Sequence, residues 1–122
     1  PETDAEAWNE MLIPTRIYAA EMRTLTGSGR VLAAAHVTGG GLCGNLQRVI
    51  PDPLRPELSF DWPVPPIFPK IQSAGGISDE EMRAVFNLGI GIAVIAHPAD
   101  RASLRGLAAA NGFALLDIGV LA

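Results

Sequence analysis

Short, nearly unbroken apolar runs alternate along this chain with segments whose apolar residues recur every three or four positions. The runs are Val31 to Val37 and Ile90 to Ala96, each with glycines close by. Runs of that length, bounded by turn residues, predict strands covered on both faces. Leu42, Leu46, Val49 and Ile50 repeat at helical spacing as far as Pro51. Leu104, Leu107 and Ala108 do the same between Pro98, a residue tolerated in a first helical turn, and the stop Asn111-Gly112. Ile17 to Leu25 predicts a helix with Ile17, Glu21 and Leu25 along one side, halted by Gly27-Ser28-Gly29. Ser78 with Glu81 three positions on is a capping box, which starts a helix whose inner face is Met82, Val85 and Phe86.

The remaining segments are shaped by proline. Asp4 to Met11 favours helix, and Pro14 ends it near Ile13, because the residue before proline is pushed out of the α region. Seven of the ten prolines fall between positions 51 and 69, which leaves only Leu58 to Trp62 as a strand, at a sheet edge. Ile67, Phe68 and Ile71 predict a short helix ending at Gly75-Gly76, and Phe113 to Val120 a last strand. The order strand, helix, strand, helices, strand, helix, strand indicates an α/β fold, with a four-stranded mixed sheet packed with helices.

Length and composition narrow the classes. A chain of 122 residues with 48% hydrophobic and 18% charged residues fits one globular domain with a single core. The net charge is −4 and the basic residues are scattered singly, which argues against a nucleic-acid partner. Cys43 is the only cysteine, so neither an intramolecular disulfide nor a cysteine zinc site can be built, and a reducing, cytoplasmic setting is expected. The apolar run Leu88 to Ala96 is about half of the roughly 20 residues a membrane span needs, so no membrane partner is expected.

Chemistry concentrates in His36-Val37-Thr38-Gly39-Gly40-Gly41. Glycines between a strand and a helix let N–H groups turn toward an anion, and Thr38 adds a hydroxyl. A tight connection explains the same pattern, and the segment is neither a Walker A loop nor a dinucleotide fingerprint. His36 closes a strand where α/β sites form, or else is hydrogen-bonded in the core. Asn87-Leu88-Gly89-Ile90-Gly91 brings the backbone close to substrate or a partner domain, or forms a bulge. His97 reads as a surface or capping residue, Trp62 as packing, and Cys43 as a small buried side chain. Asp79-Glu80-Glu81 reads as a solvated helix start rather than a metal site, and no metal ligands are proposed.

Taken together, Pro14 to Tyr18, Ala35 to Leu42, Asn45-Leu46 with Arg48-Val49, Trp62 to Phe68, Glu80 to Met82 and Phe86 to Gly91 resemble the successive signatures of the phosphoribosylformylglycinamidine cyclo-ligase (aminoimidazole ribonucleotide synthetase) family. They occur in the family's order over nearly the whole chain. Gly44 and Gln47 depart from the pattern, standing where the family commonly has an acidic residue and a proline.

The resemblance implies the carboxy-terminal α/β domain, residues 17–122, of a two-domain homodimeric enzyme, with residues 1–16 as the interdomain connection. ATP and Mg would be held mainly by the amino-terminal domain, which is absent from this sequence. In the implied reaction ATP activates the formyl oxygen of formylglycinamidine ribonucleotide, an internal nitrogen closes the imidazole ring, and aminoimidazole ribonucleotide, ADP and phosphate leave. His36 would orient or protonate a substrate group. Thr38, Gly39, Gly40, Gly41 and Asn87 would bind substrate or phosphate. An apolar border near Ile13, Ile17 and Tyr18 would face the missing domain. Two other readings are a non-catalytic binding or regulatory domain, and a domain of a related ATP-dependent enzyme such as formylglycinamidine ribonucleotide synthetase.

Overall fold

The computed structural model describes residues 5–122. Within them helices and short strands alternate: α1 (Ala5–Met11), α2 (Ala19–Gly27), β1 (Val31–His36), α3 (Gly41–Gln47), β2 (Pro56–Leu58), α4 (Ile67–Gly75), α5 (Asp79–Val85), β3 (Ile92–Ala96), a 3-10 turn (Pro98–Asp100), α6 (Arg101–Ala110) and β4 (Gly119–Leu121). The α/β class and four strands are as the sequence indicates. The strands do not form one mixed sheet, however. They pair two by two and antiparallel, β1 with β3 and β2 with β4.

β1 and β3 run His36 opposite Ile92, Ala35 opposite Ala93 and Ala34 opposite Val94, with an irregularity between Val31 and Ala33 that leaves Leu32 57% exposed. β1 is therefore not covered on both faces as its apolar run predicts, whereas no residue of β3 is exposed. One side is buried through Ala35, Val37 and Ala93, while His36 at the strand end faces solvent. Small side chains on the buried side let α3 approach, and Ala35, Leu46 and Ala93 form one core cluster. The other cluster gathers Val37, Leu42, Trp62, Met82, Leu88 and Ile90.

β2 lies before the expected strand at 58–62 and shares only Leu58 with it, because Phe60 takes φ 54, a left-handed conformation that ends the ladder. This turn sends Trp62 into the core, where its indole N–H donates to the Leu88 carbonyl at 3.0 Å. A buried indole needs such an acceptor. β4 has three residues, of which only Gly119 and Val120 fall in the expected 113–120 strand, and it pairs Leu58 to Gly119 and Pro56 to Leu121.

The helix ends follow local chemistry closely. The Ser78 hydroxyl accepts the Glu81 N–H at the start of α5, as the capping box requires. Gly112 at φ 80 follows α6, whose inner face is Leu104 and Ala108. α3 stops at Gln47, short of Pro51, and Val49 turns outward while Ile50 is buried. α2 begins at Ala19 rather than Ile17, and Ile17 is 83% exposed instead of sharing a face with Leu25. Arg16 instead reaches Glu21 at 2.6 Å, and the Glu21 backbone N–H together with Arg16 holds that carboxyl below the usual glutamate range. Glu10 of α1 accepts the Ile67 N–H at the start of α4, satisfying one of the orphan donors of that helix. Asp4, the first residue of the expected amino-terminal helix, lies outside the described residues.

Leu42 is 1% exposed at the centre of the larger cluster. Leu42→Ala should cost about 3 kcal/mol, read as a fall of roughly 10 °C in thermal midpoint. An unchanged midpoint would show that this cluster is not the core.

Candidate functional site

β1 carries the chain to His36, which is exposed at its carboxyl end. Val37 then turns inward, its N–H donating to the Gly91 carbonyl at 2.8 Å, and Thr38, Gly39 and Gly40 come out again into solvent. Because β1 and β3 are antiparallel, the end of one lies beside the start of the other. The glycine turn after β1 and the 87–91 segment before β3 thus occupy the same end of the sheet.

The three glycines are not equivalent. Gly40 has φ 98 and Gly41 φ 65, both in the region that disfavours side chains. Gly41 is also buried against the last turn of α5, where a Cβ would overlap the Arg83 carbonyl oxygen. The amino end of α3, a helix of only seven residues, therefore abuts backbone carbonyls of α5. Gly39 has neither constraint: its φ is ordinary and nothing lies within 4 Å of the position of a Cβ. Of the predicted anion-binding glycines, Gly41 is thus packed inside while Gly39 and Gly40 face outward.

Asn45 holds the turn. It is buried, and its Nδ2 lies 2.7 Å from the Gly41 carbonyl and 3.3 Å from those of Thr38 and Gly39. Arg48 Nη1 donates to Asn45 Oδ1 at 3.3 Å. The sequence reading gave Asn45 no role of its own. The available signal was its position on the apolar face of α3, three residues after Leu42 and beside Leu46.

Asn87 is half-buried and its Oδ1 accepts the Gly89 N–H at 2.9 Å, while its carbonyl accepts from Ile90. This turn allows Leu88 to take φ 50 and Gly89 φ 93. Both glycines of the segment answer to approaches within the chain. A Cβ at Gly89 would meet the Pro65 ring, and one at Gly91 would overlap the Tyr18 hydroxyl. Tyr18, which the sequence places near a domain border, is thus half-buried against the entry to β3, with Arg16 over its ring at 5.5 Å. Leu12, Ile13 and Ile17 just before it are exposed.

A cleft of about 170 Å³ lies elsewhere, between the proline-rich segment, α4 and α5, and is lined by Phe60, Trp62, Phe68, Met82 and Arg83 among others. It contains none of the predicted site residues and is smaller than the roughly 300–1,000 Å³ of small-molecule sites. Cys43, expected as a small buried side chain, is exposed, as is His97. Among the described residues no group of three or more His, Cys, Asp or Glu side chains comes together, and no helix is long and apolar enough to cross a membrane.

Fold and site define a class: an α/β domain that presents a glycine turn, anchored from beneath, at the open end of a two-stranded sheet. Residues 3–121 match the family described as AIR synthase related protein, C-terminal domain, and the chain belongs to it. It is 52% identical over 83 residues to phosphoribosylformylglycinamidine cyclo-ligase of Bacillus licheniformis, covering 67% of this chain and 24% of that protein. To the enzyme of the same name from Paraburkholderia xenovorans it is 42% identical over 112 residues, covering 91% of this chain and 32% of that protein. To that of Burkholderia lata it is 46% identical over 103 residues, covering 83% and 29%. The chain therefore spans between about a quarter and a third of the length of these curated relatives.

The unequal glycines predict unequal substitutions. Gly39→Ala should change stability by no more than about 0.5 kcal/mol, whereas Gly41→Ala should cost more than about 2 kcal/mol from left-handed strain and the collision with α5. Denaturant unfolding of the two variants checks the order, and equal losses would contradict the packing of Gly41.

Proposed function

We propose that this chain is the carboxy-terminal part of an ATP-dependent cyclo-ligase that closes the imidazole ring of formylglycinamidine ribonucleotide in purine biosynthesis. It works in the cytoplasm, as part of a homodimeric enzyme, against an amino-terminal domain that completes the site. The family membership and the names of the relatives support this reading. The observation that carries it to particular residues is the orientation of the glycine turn. Asn45 draws the Thr38 and Gly39 carbonyls inward. In a trans peptide the N–H points opposite to the carbonyl, so the Gly39 and Gly40 N–H groups point outward. Two outward N–H groups on an exposed turn suit an anionic oxygen.

In this reading Gly39 and Gly40 donate to a phosphate, Gly41 fixes the turn on α5, and Thr38 adds a hydroxyl at the same rim. His36, exposed one residue before the buried Val37, orients or protonates the substrate. Asn87 shapes the neighbouring turn and contacts substrate from the side of β3. ATP, when bound, supplies the phosphoryl group that makes the formyl oxygen a leaving group. The residues of this chain fit a phosphate better than a divalent cation, and magnesium would be held mainly by the amino-terminal domain. Holding the two reacting ends of one substrate together lowers the barrier by removing their relative freedom. The exposed apolar strip at Leu12, Ile13 and Ile17 suits a domain contact beside this rim.

The test is a fusion of this chain to the amino-terminal domain of the Bacillus licheniformis relative. The fusion should form aminoimidazole ribonucleotide, and the chain alone should neither turn over substrate nor bind magnesium-ATP at micromolar concentration by calorimetry. His36→Ala in the fusion should lower turnover by about 10² or more with little change in thermal midpoint. Near-normal turnover with a large loss of stability would return His36 to a structural part.

A further inference from the structure

Resting on the reading of the glycine turn as a phosphate cradle, we infer that Asn45 is the positioning residue of that cradle, with Arg48 setting the orientation of its amide. Asn45 is 4% exposed on an otherwise apolar helix face. A buried amide must find partners, but the Gly41 carbonyl, 2.7 Å away and one turn back in the same helix, would already serve one proton. The second proton is shared between the carbonyls of Thr38 and Gly39, both at 3.3 Å and both ahead of the helix in the exposed part of the turn. The amide has two donors and meets three acceptors, so every proton is aimed at the turn. Arg48 has no acceptor, and its bond to Oδ1 excludes the flipped amide, which would put oxygen against three carbonyls.

The consequence is directional. Gly39 and Gly40 carry no side chain to hold the turn, and the turn passes through φ 98 at Gly40. Glycine backbone is the most permissive in the chain. Without the inward pull of Asn45, the two peptide planes are free to rotate and the N–H groups lose their common outward aim. Asn45 touches no ligand in this account; it acts through the turn.

The experiment compares the 15N-labelled chain with its Asn45→Asp variant, using inorganic phosphate as the probe. The substituted side chain has the same shape but sets a carboxylate against three carbonyl oxygens. Near neutral pH, order parameters of Gly39 and Gly40 should fall from about 0.85 to below about 0.6, while those of β1 and β3 stay unchanged. The phosphate-induced shifts of those two amides should require at least about tenfold more phosphate, equivalent to about 1.4 kcal/mol. Acidification should restore turn order in the variant, because protonating the introduced carboxylate regains one donor. A turn that stays ordered and phosphate-responsive while only the thermal midpoint falls would overturn the inference and leave Asn45 as an ordinary buried polar group.

If Asn45→Asp does not fold, the wild-type chain decides. The Asn45 side-chain amide protons should exchange with solvent at least about 100-fold more slowly than those of the exposed Asn9, as bonded and buried protons do; equal rates would overturn the inference. Absence of any phosphate response in the wild-type chain would sink the cradle reading, while the order parameters and side-chain exchange would still decide the part played by Asn45.

Discussion

The antiparallel pairing of β1 with β3 is the constraint from which the rest of the molecule follows. Its register sets His36 opposite Ile92 and carries the ladder one step further through the Val37 N–H to Gly91. Two segments more than 45 residues apart in sequence, the glycine turn and the Asn87 turn, are brought to one end of the sheet by it. The alanines of both strands make this possible in a second way. With little side chain between them and the neighbouring layer, α3 can settle against β1 and place Leu46 beside Ala35 and Ala93.

Close backbone approaches then lock the site end in place. Gly41 meets the last turn of α5, Gly89 meets Pro65, and Gly91 meets Tyr18. Each is a position where a methyl group would collide, so none of the three has room for a side chain. The indole of Trp62 adds a directional bond to the Leu88 carbonyl, tying the proline-rich segment to the same turn. This end of the sheet is therefore packed below and open above, with Thr38, Gly39 and Gly40 exposed.

Within the cyclo-ligase reading this division of labour has a physical sense. A domain that supplies only part of an active site gains most by presenting donors already oriented, since donors that must reorganise during reaction contribute less. The buried amide of Asn45, bonded to the carbonyls of the turn and held by Arg48, gives that orientation. Tyr18 packs the segment after Pro14 against the entry of β3.

Much of this was determined by the sequence itself. The capping box at Ser78, the stop at Asn111-Gly112, the glycine turn after β1 and the run that forms β3 are local in origin. Each depends on residues within a few positions of one another, and so on propensities that the chain carries anywhere. Family membership was legible for the same reason, because signatures such as Trp62 to Phe68 and Phe86 to Gly91 are contiguous. Tertiary structure decided the rest. Apolar runs do not say which strand pairs with which, so one mixed sheet and two antiparallel pairs are equally compatible with them. The turn at Phe60, which leaves β2 at 56–58, goes with a bond from Trp62 to a carbonyl on a distant loop. The bonds of Asn45 to Thr38 and Gly39 stay within seven positions of the chain, whereas the burial of Gly41 against α5 and the pairing that sets His36 opposite Ile92 depend on what α5 and β3 bring alongside. No local pattern contains that, because hydrogen bonds and close contacts between distant segments exist only once the chain has closed on itself.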